Sequence, residues 1–330
     1  MMKKISLILF AALSLAACQK SAPSPVQTSV PIESPEKIVM RIQVESAGSK
    51  VLIPGNESQV NDLQILVFGE DGKLETYARE SGSELSLECT SGIKDIYAFV
   101  NGPSLNQIQK FSELSGTVFS LDDASPSHLP MQGFVRQNIR SNENLTIEVK
   151  RMVCKISLRE ILTSFPEAYV NARLEINKVY LTNAVSAIDV NGTIQAWANK
   201  LSEQKECEPV LCDNLIESKI ISASDNGIMG NFFYTFANAT AEDNCDAQWS
   251  PRFTRLVIEG KFFNGTELIR TCYYPIPIGP LVANHSYVVS QYTISRPGLS
   301  SPADNPQLLN SGVSVTVTDW EETHEIIERL

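Results

Sequence analysis

Residues 144–158 read NLTIEVKRMVCKISL. Leu145, Ile147 and Val149 put apolar side chains at odd positions, whereas Met152, Cys154, Ile156 and Leu158 put them at even ones. A period of two is the pattern of a half-buried strand. A change of phase inside it requires a bulge, or a strand that leaves one core and enters another. A domain boundary near Arg151 is therefore expected.

On the N-terminal side the same alternation recurs. In KIVMRIQVE, residues 37–45, Ile38, Met40, Ile42 and Val44 share one face and Lys37, Arg41, Gln43 and Glu45 the other; Val39 is the exception. Further strands are expected at 63–68, apolar on both faces and so central, at 74–78, at 84–89 with Leu85, Leu87 and Cys89 inward, and at 96–100. Asp71-Gly72 supplies the positive φ angles of a tight hairpin between the first two of these. Residues 103–143 lose the alternation, with a short helix expected around 105–114. Beyond Arg151, strands are expected at 174–181, 253–263, 267–274, 287–294 and 313–317, with Asn264-Gly265 joining the second and third. Residues 200–250 are polar and poorly periodic and read as long loops or an insertion. Many short strands with little helix predict an all-β chain of two β-sandwich domains, residues 37–150 and 151–320.

The N-terminus is of another kind. Lys3 and Lys4 precede an apolar run from Ile5 to Ala17, too short to span a bilayer, and Leu15-Ala16-Ala17-Cys18 forms a lipobox. Residues 1–17 are expected to be a signal peptide, Cys18 the lipidated residue, and the Pro- and Ser-rich stretch up to residue 36 a flexible tether. The chain carries a formal charge of −11, and loss of Lys3 and Lys4 makes the mature part more acidic. No Lys/Arg stripe exists to neutralise phosphates, which argues against nucleic acid. Export permits disulfides among the remaining cysteines; Cys207 and Cys212 are a candidate local pair or a pair of buried thiols. With only three histidines, scattered through the chain, no metal site is expected, and no cofactor.

Catalytic motifs are not legible. His324-Glu325-Ile326-Ile327-Glu328 lacks the second histidine of a zincin helix, and neither a nucleophile elbow nor a phosphate loop occurs. Asp122-Asp123 and Glu321-Glu322 are adjacent carboxylates, which point to opposite faces of a strand and cannot share a substrate. Trp197 and Trp249 are read as core or loop anchors before sugar platforms. The chain is expected not to be an enzyme.

The order of these motifs resembles the fimbrillin family, subunits of the type V pili of Gram-negative anaerobes. The resemblance rests on the lipobox ending at Cys18, KIVMRIQVE, DLQILVFGEDGKL, KDIYAFVN closing at Asn101, VKRMVCKISL, NHSYVVSQYTISRPG followed by Asn305-Pro306, and VSVTVTDW ending at Trp320. It leaves out roughly residues 103–140 and 200–250. It implies two tandem transthyretin-like β-sandwich domains with Greek-key-type connections. It also implies a lipoprotein of the outer membrane, cut behind its first strand by a trypsin-like protease and then polymerised by strand addition. Lys50, in SAGSKVLIPG, stands at the processing position, with Arg41 second; Ile38, Met40, Ile42 and Val44 would vacate the acceptor groove. The donor would be the tail of residues 321–330, with Ile326 and Leu330 on one face; Val313, Val315 and Val317 are the alternative and are expected instead to close the second domain's sheet. The implied partners are other copies or paralogous pilus subunits and a host or bacterial surface ligand. An uncleaved pilus anchor and a glycan-binding surface lipoprotein are the competing readings.

Overall fold

The alternation of residues 37–45 becomes a strand in which every second side chain is buried, and most of the chain is built in the same way. The computed structural model describes residues 37–46, 57–203, 206–213, 219–222, 227–241, 243, 253–309 and 313–320. Its first half contributes β1 (Lys37–Ser46), β2 (Leu63–Gly69), β3 (Leu74–Glu80), β4 (Glu84–Thr90), β5 (Gly92–Val100), the short β6 (Val118–Ser120), β7 (Met131–Ile139) and β8 (Glu143–Arg151). Its second half contributes β9 (Val153–Thr163), β10 (Ala172–Thr182), β11 (Ala184–Asp189), β12 (Ile194–Ala198), β13 (Cys212–Asp213), β14 (Lys219–Ser222), β15 (Gly227–Phe236), β16 (Thr254–Asn264), β17 (Glu267–Ile278), β18 (His285–Ile294) and β19 (Val313–Asp319). The described part is an all-β sandwich-type fold whose helices are short 3₁₀ turns.

One sheet runs β3-β2-β5-β7-β8-β1-β4. It folds over between β7 and β8, which pair only at Met131 with Arg151 and Gln132 with Lys150. A Cβ on Gly133 would run into the Glu148 carbonyl oxygen and Ile147, so glycine is what lets the two strands come this close at the fold. The resulting layers enclose a core in which Ile38, Met40, Ile42 and Val44 meet residues such as Ile65, Val67, Ile96 and Ala98. The second half makes a sandwich from β14-β10-β16-β17 and from β12-β11-β15-β9-β18-β19, to which β6 and β13 attach. Its core includes Ile156, Leu158, Leu174, Ile176, Leu256, Ile258 and Val289.

Met152 alone separates β8 from β9, and its N–H is bonded to the Pro130 carbonyl at 2.9 Å. β8 pairs with β1 in the first sheet and β9 with β15 and β18 in another. The phase change in residues 144–158 is thus the passage of the chain from one sheet to the next. A third apolar cluster joins the halves, with Leu66, Phe68 and Phe99 from the outer face of β2 and β5 packed with Val153, Val185, Tyr234, Phe236 and Trp320. This is why β2 is apolar on both faces.

Both hairpins form as expected. Gly72 takes φ 72° between β2 and β3, and Asn264 pairs with Glu267 across a turn in which Gly265 takes φ 62°. Two expectations are corrected. The helix around residues 105–114 is a 3₁₀ helix at Phe111–Gly116, in a stretch that also holds β6 and β7. Residues 200–250 are not only loop: β15 lies inside its sheet, between β11 and β9. Phe233, Tyr234, Thr235 and Phe236 are all buried, so β15 shows no alternation, and its glycines weaken the strand signal further.

Asn101 ends β5 with φ 53° and is buried. Its Oδ1 accepts from Asn61 N at 2.9 Å and Asp62 N at 3.3 Å, and its Nδ2 donates to Gln59 O at 2.8 Å and Leu129 O at 3.1 Å. Left-handed backbone and amide side chain thus do one job, tying two segments, residues 59–62 and the one that holds Leu129, to the end of β5. Asn101→Ala is expected to lower stability by about 2 kcal/mol, and Asn101→Gly, which tolerates the φ, by less. Urea unfolding midpoints check both, and equal losses would mean that the φ angle has no part in the cost.

Candidate functional site

β1 is an interior strand. It runs parallel to β8 from Met40 opposite Glu143 to Ser46 opposite Val149, and antiparallel to β4 from Lys37 opposite Thr90 to Gln43 opposite Glu84. Ile38, Met40, Ile42 and Val44 are at most 2% exposed and fill the slot between those neighbours. On the outer face Lys37 pairs with Glu88 at 2.8 Å and Arg41 with Glu84, both in solvent, where such pairs contribute little. Burial and the two backbone ladders therefore hold β1 in place. Arg41 lies within both ladders with its side chain exposed. Cys18, Lys50, Ile326 and Leu330 lie outside the described residues.

At Glu57 the chain enters a half-buried polar cluster that sequence reasoning missed. The Glu57 carboxylate accepts from Tyr234 Oη at 2.6 Å and Trp320 Nε1 at 2.7 Å, and faces Lys155 Nζ at 3.0 Å. Burial pushes its pKa up, but Lys155 and the two hydrogen bonds outweigh burial and hold it below the usual carboxylate value. Arg151, itself buried, donates to the Glu57 carbonyl at 3.1 Å, Ser58 Oγ at 2.6 Å and Asn284 Oδ1 at 3.3 Å, and its guanidinium stands 4.9 Å from the centre of the Trp320 ring. The sequence signal for this cluster was indirect: a basic residue at the phase change and a tryptophan closing the last strand.

β19 stands at the edge of its sheet, paired with β18. Val313, Val315 and Val317 are exposed on it, at 39–52%, and so add nothing to the core beneath. Cys207 and Cys212 are both half-buried; Cys207 offers its carbonyl to Lys178 Nζ at 3.2 Å, and Cys212 pairs with Phe233. Cys89, Cys154 and Cys272 are free and buried, and burial pushes each thiol pKa up. Among the described residues, no group of three or more His, Cys, Asp or Glu is placed to hold a metal ion. Trp197 packs against the cluster between the halves; Trp249 and His324 lie outside the described residues.

The same architecture occurs in solved structures of cell adhesion and fimbrial proteins. A protein of Parabacteroides distasonis described as a candidate cell adhesion protein superposes with TM-score 0.63 at 18% identity, over 87% of this chain and 99% of its own. A protein of Bacteroides eggerthii with the same description gives 0.64 at 16% identity, over 87% and 97%. The fimbrilin FimA of Porphyromonas gingivalis gives 0.59 at 16% identity, over 86% and 97%. At these identities the likeness is one of fold, and it spans nearly the whole of each neighbour. No family model matches the sequence, and no curated protein matches it.

Proposed function

We propose that the chain is a structural subunit of a pilus, exported as a lipoprotein to the outer membrane and assembled by strand exchange once its first strand is cut away. The observation that carries this reading is the place of β1: an N-terminal strand of 10 residues held inside a layer, with every other described strand following Glu57. Its loss would strip four side chains from the core, worth about 6–12 kcal/mol before ordering costs, and would leave the facing edges of β8 and β4 unpaired. A strand from another copy or a paralogous subunit restores both the burial and the ladders. The shared fold of FimA and the two adhesion-type proteins supports the same role.

In this reading Cys18 carries the lipid, and a trypsin-like protease cuts after Lys50; Arg41 is the poorer site because ladders hold its backbone on both sides. The donor is the tail after Trp320, with Ile326 and Leu330 in the groove, or β19, whose three exposed valines already have the period of a groove-filling strand. The role is structural and not catalytic, and adhesion is to a host or bacterial surface ligand.

Limited trypsin digestion of the purified chain, with N-terminal sequencing and size analysis, tests it. The expected result is one cut after Lys50, loss of the residues before Val51, and growth of ladders. Deleting residues 321–330 abolishes the ladders if the tail is the donor, and alanines at Val313, Val315 and Val317 abolish them if β19 is. Resistance at Lys50 with a persistent monomer overturns the polymerising subunit in favour of an uncut anchor or a glycan-binding surface lipoprotein.

A further inference from the structure

We propose that the outer face of the first sandwich carries a binding site for a neutral oligosaccharide, in a cleft of about 580 Å³ floored by Tyr97 and Phe134. The site is independent of polymerisation, since a monomer carries it intact.

The floor follows from strand register. Tyr97 of β5 lies directly opposite Phe134 of β7, and their ring centroids are 4.6 Å apart. Phe111, from the 3₁₀ helix, closes one side at 5.4 Å from Tyr97. Elsewhere on this face the aromatic and aliphatic side chains are covered: Leu66, Phe68 and Phe99 lie beneath Leu105, Leu114, Phe119 and Leu121 and are at most 1% exposed. The cover stops short of the cleft, where Phe134 is 52% exposed and Phe111 46%. Two large rings so exposed, on opposite sides of a half-buried tyrosine, are not explained by core packing.

The rim supplies the other half of the chemistry. Gln132 stands opposite Lys150 across β7 and β8, and Glu148 follows two residues along on the same face. Asn191, in the turn between β11 and β12, approaches from the second half of the chain. Two amides, a carboxylate and an ammonium thus ring an aromatic floor. A pyranose ring has this complement, with a C–H face that packs on aromatic rings and hydroxyl edges that both donate and accept. Charge narrows the class. Lys150 and Glu148 pair at 3.7 Å and cancel, so in a chain of net charge −11 the cleft favours neither an anion nor a cation. The volume is that of a small-ligand site and not of a protein interface.

The test is titration calorimetry of the purified chain with maltotetraose, cellotetraose, mannotetraose, chitotetraose and lacto-N-tetraose, beside a sialylated lacto-N-tetraose as the anionic control. At least one neutral tetrasaccharide is expected to bind, with affinity falling about tenfold or more in Phe134→Ala and in Tyr97→Ala and held in Phe134→Trp. Phe134 is exposed, so Phe134→Ala should keep the wild-type melting curve, which separates loss of the site from loss of the fold. Absence of binding by every neutral probe, binding of the anionic control alone, or binding unchanged by both alanine variants overturns the proposal.

Discussion

An Ile38→Cys variant, oxidised during refolding, is expected to stay monomeric after proteolysis and to polymerise once reduced. Ile38 lies directly opposite Cys89 in the antiparallel pairing of β1 with β4, both side chains are buried on the same face, and Cys89 is free. Opposed residues of such a pair have Cα atoms roughly 4.5–5.5 Å apart, within the span a disulfide bridges. Oxidation belongs in refolding because burial pushes the Cys89 thiol up and slows its reaction in the folded chain. Once stapled, β1 can be cut from the chain and still not leave. A tethered strand competes at an effective concentration of about millimolar, whereas free subunits at about micromolar are at roughly a thousandfold disadvantage. Ladders should therefore vanish in the oxidised variant and return with reductant. Ile38→Cys with Cys89→Ala, which cannot form the staple, should polymerise under both conditions. Ladders that persist while the cross-link is intact would mean that β1 is not the strand that leaves.

The residues behind that experiment were readable in advance, because β1 obeys the one rule that a single sequence reveals well. Half-buried strands announce themselves by period two, and Ile38, Met40, Ile42 and Val44 are buried as the period requires. Gly72 and Gly265 were equally legible, since a positive φ leaves a mark in residue type. β15 was not, because an interior strand covered on both faces has no polar side to alternate with. β7 was missed for a related reason: its outward face carries Phe134 beside Gln132 and Arg136, a mixture that periodicity cannot sort. The aromatic cleft and the Glu57 cluster depend on register and on contacts across more than 100 residues of chain, as between Glu57 and Trp320. Local pattern carries no information about such pairs.

Glu57→Ala is expected to lower stability by about 2–3 kcal/mol, because the half-buried carboxylate answers three donors at once. Its removal takes away the acceptor that the Lys155 ammonium, the Trp320 indole N–H and the Tyr234 hydroxyl share. The cost is also pH-dependent, and the sign follows from the direction of the shift. Glu57 titrates below its unfolded value of about 4.3, so its contribution is fully present above that pH and is lost as pH falls through the folded value. In urea unfolding, the gap between wild type and Glu57→Gln should be largest near neutrality and shrink below about pH 4. A gap that stays constant down to pH 3 would mean that the charge on Glu57 is not what stabilises the cluster. In the proposed assembly the position of that charge has a further consequence. Glu57 lies just beyond the segment that contains Lys50, and through Trp320 it holds the end of β19 while its carbonyl holds Arg151 at the passage between the sheets. A cut after Lys50 leaves all these contacts on the retained chain, so β1 can go without loosening the junction. A subunit that must lose one strand and remain folded needs its remaining N-terminal end fixed at that place.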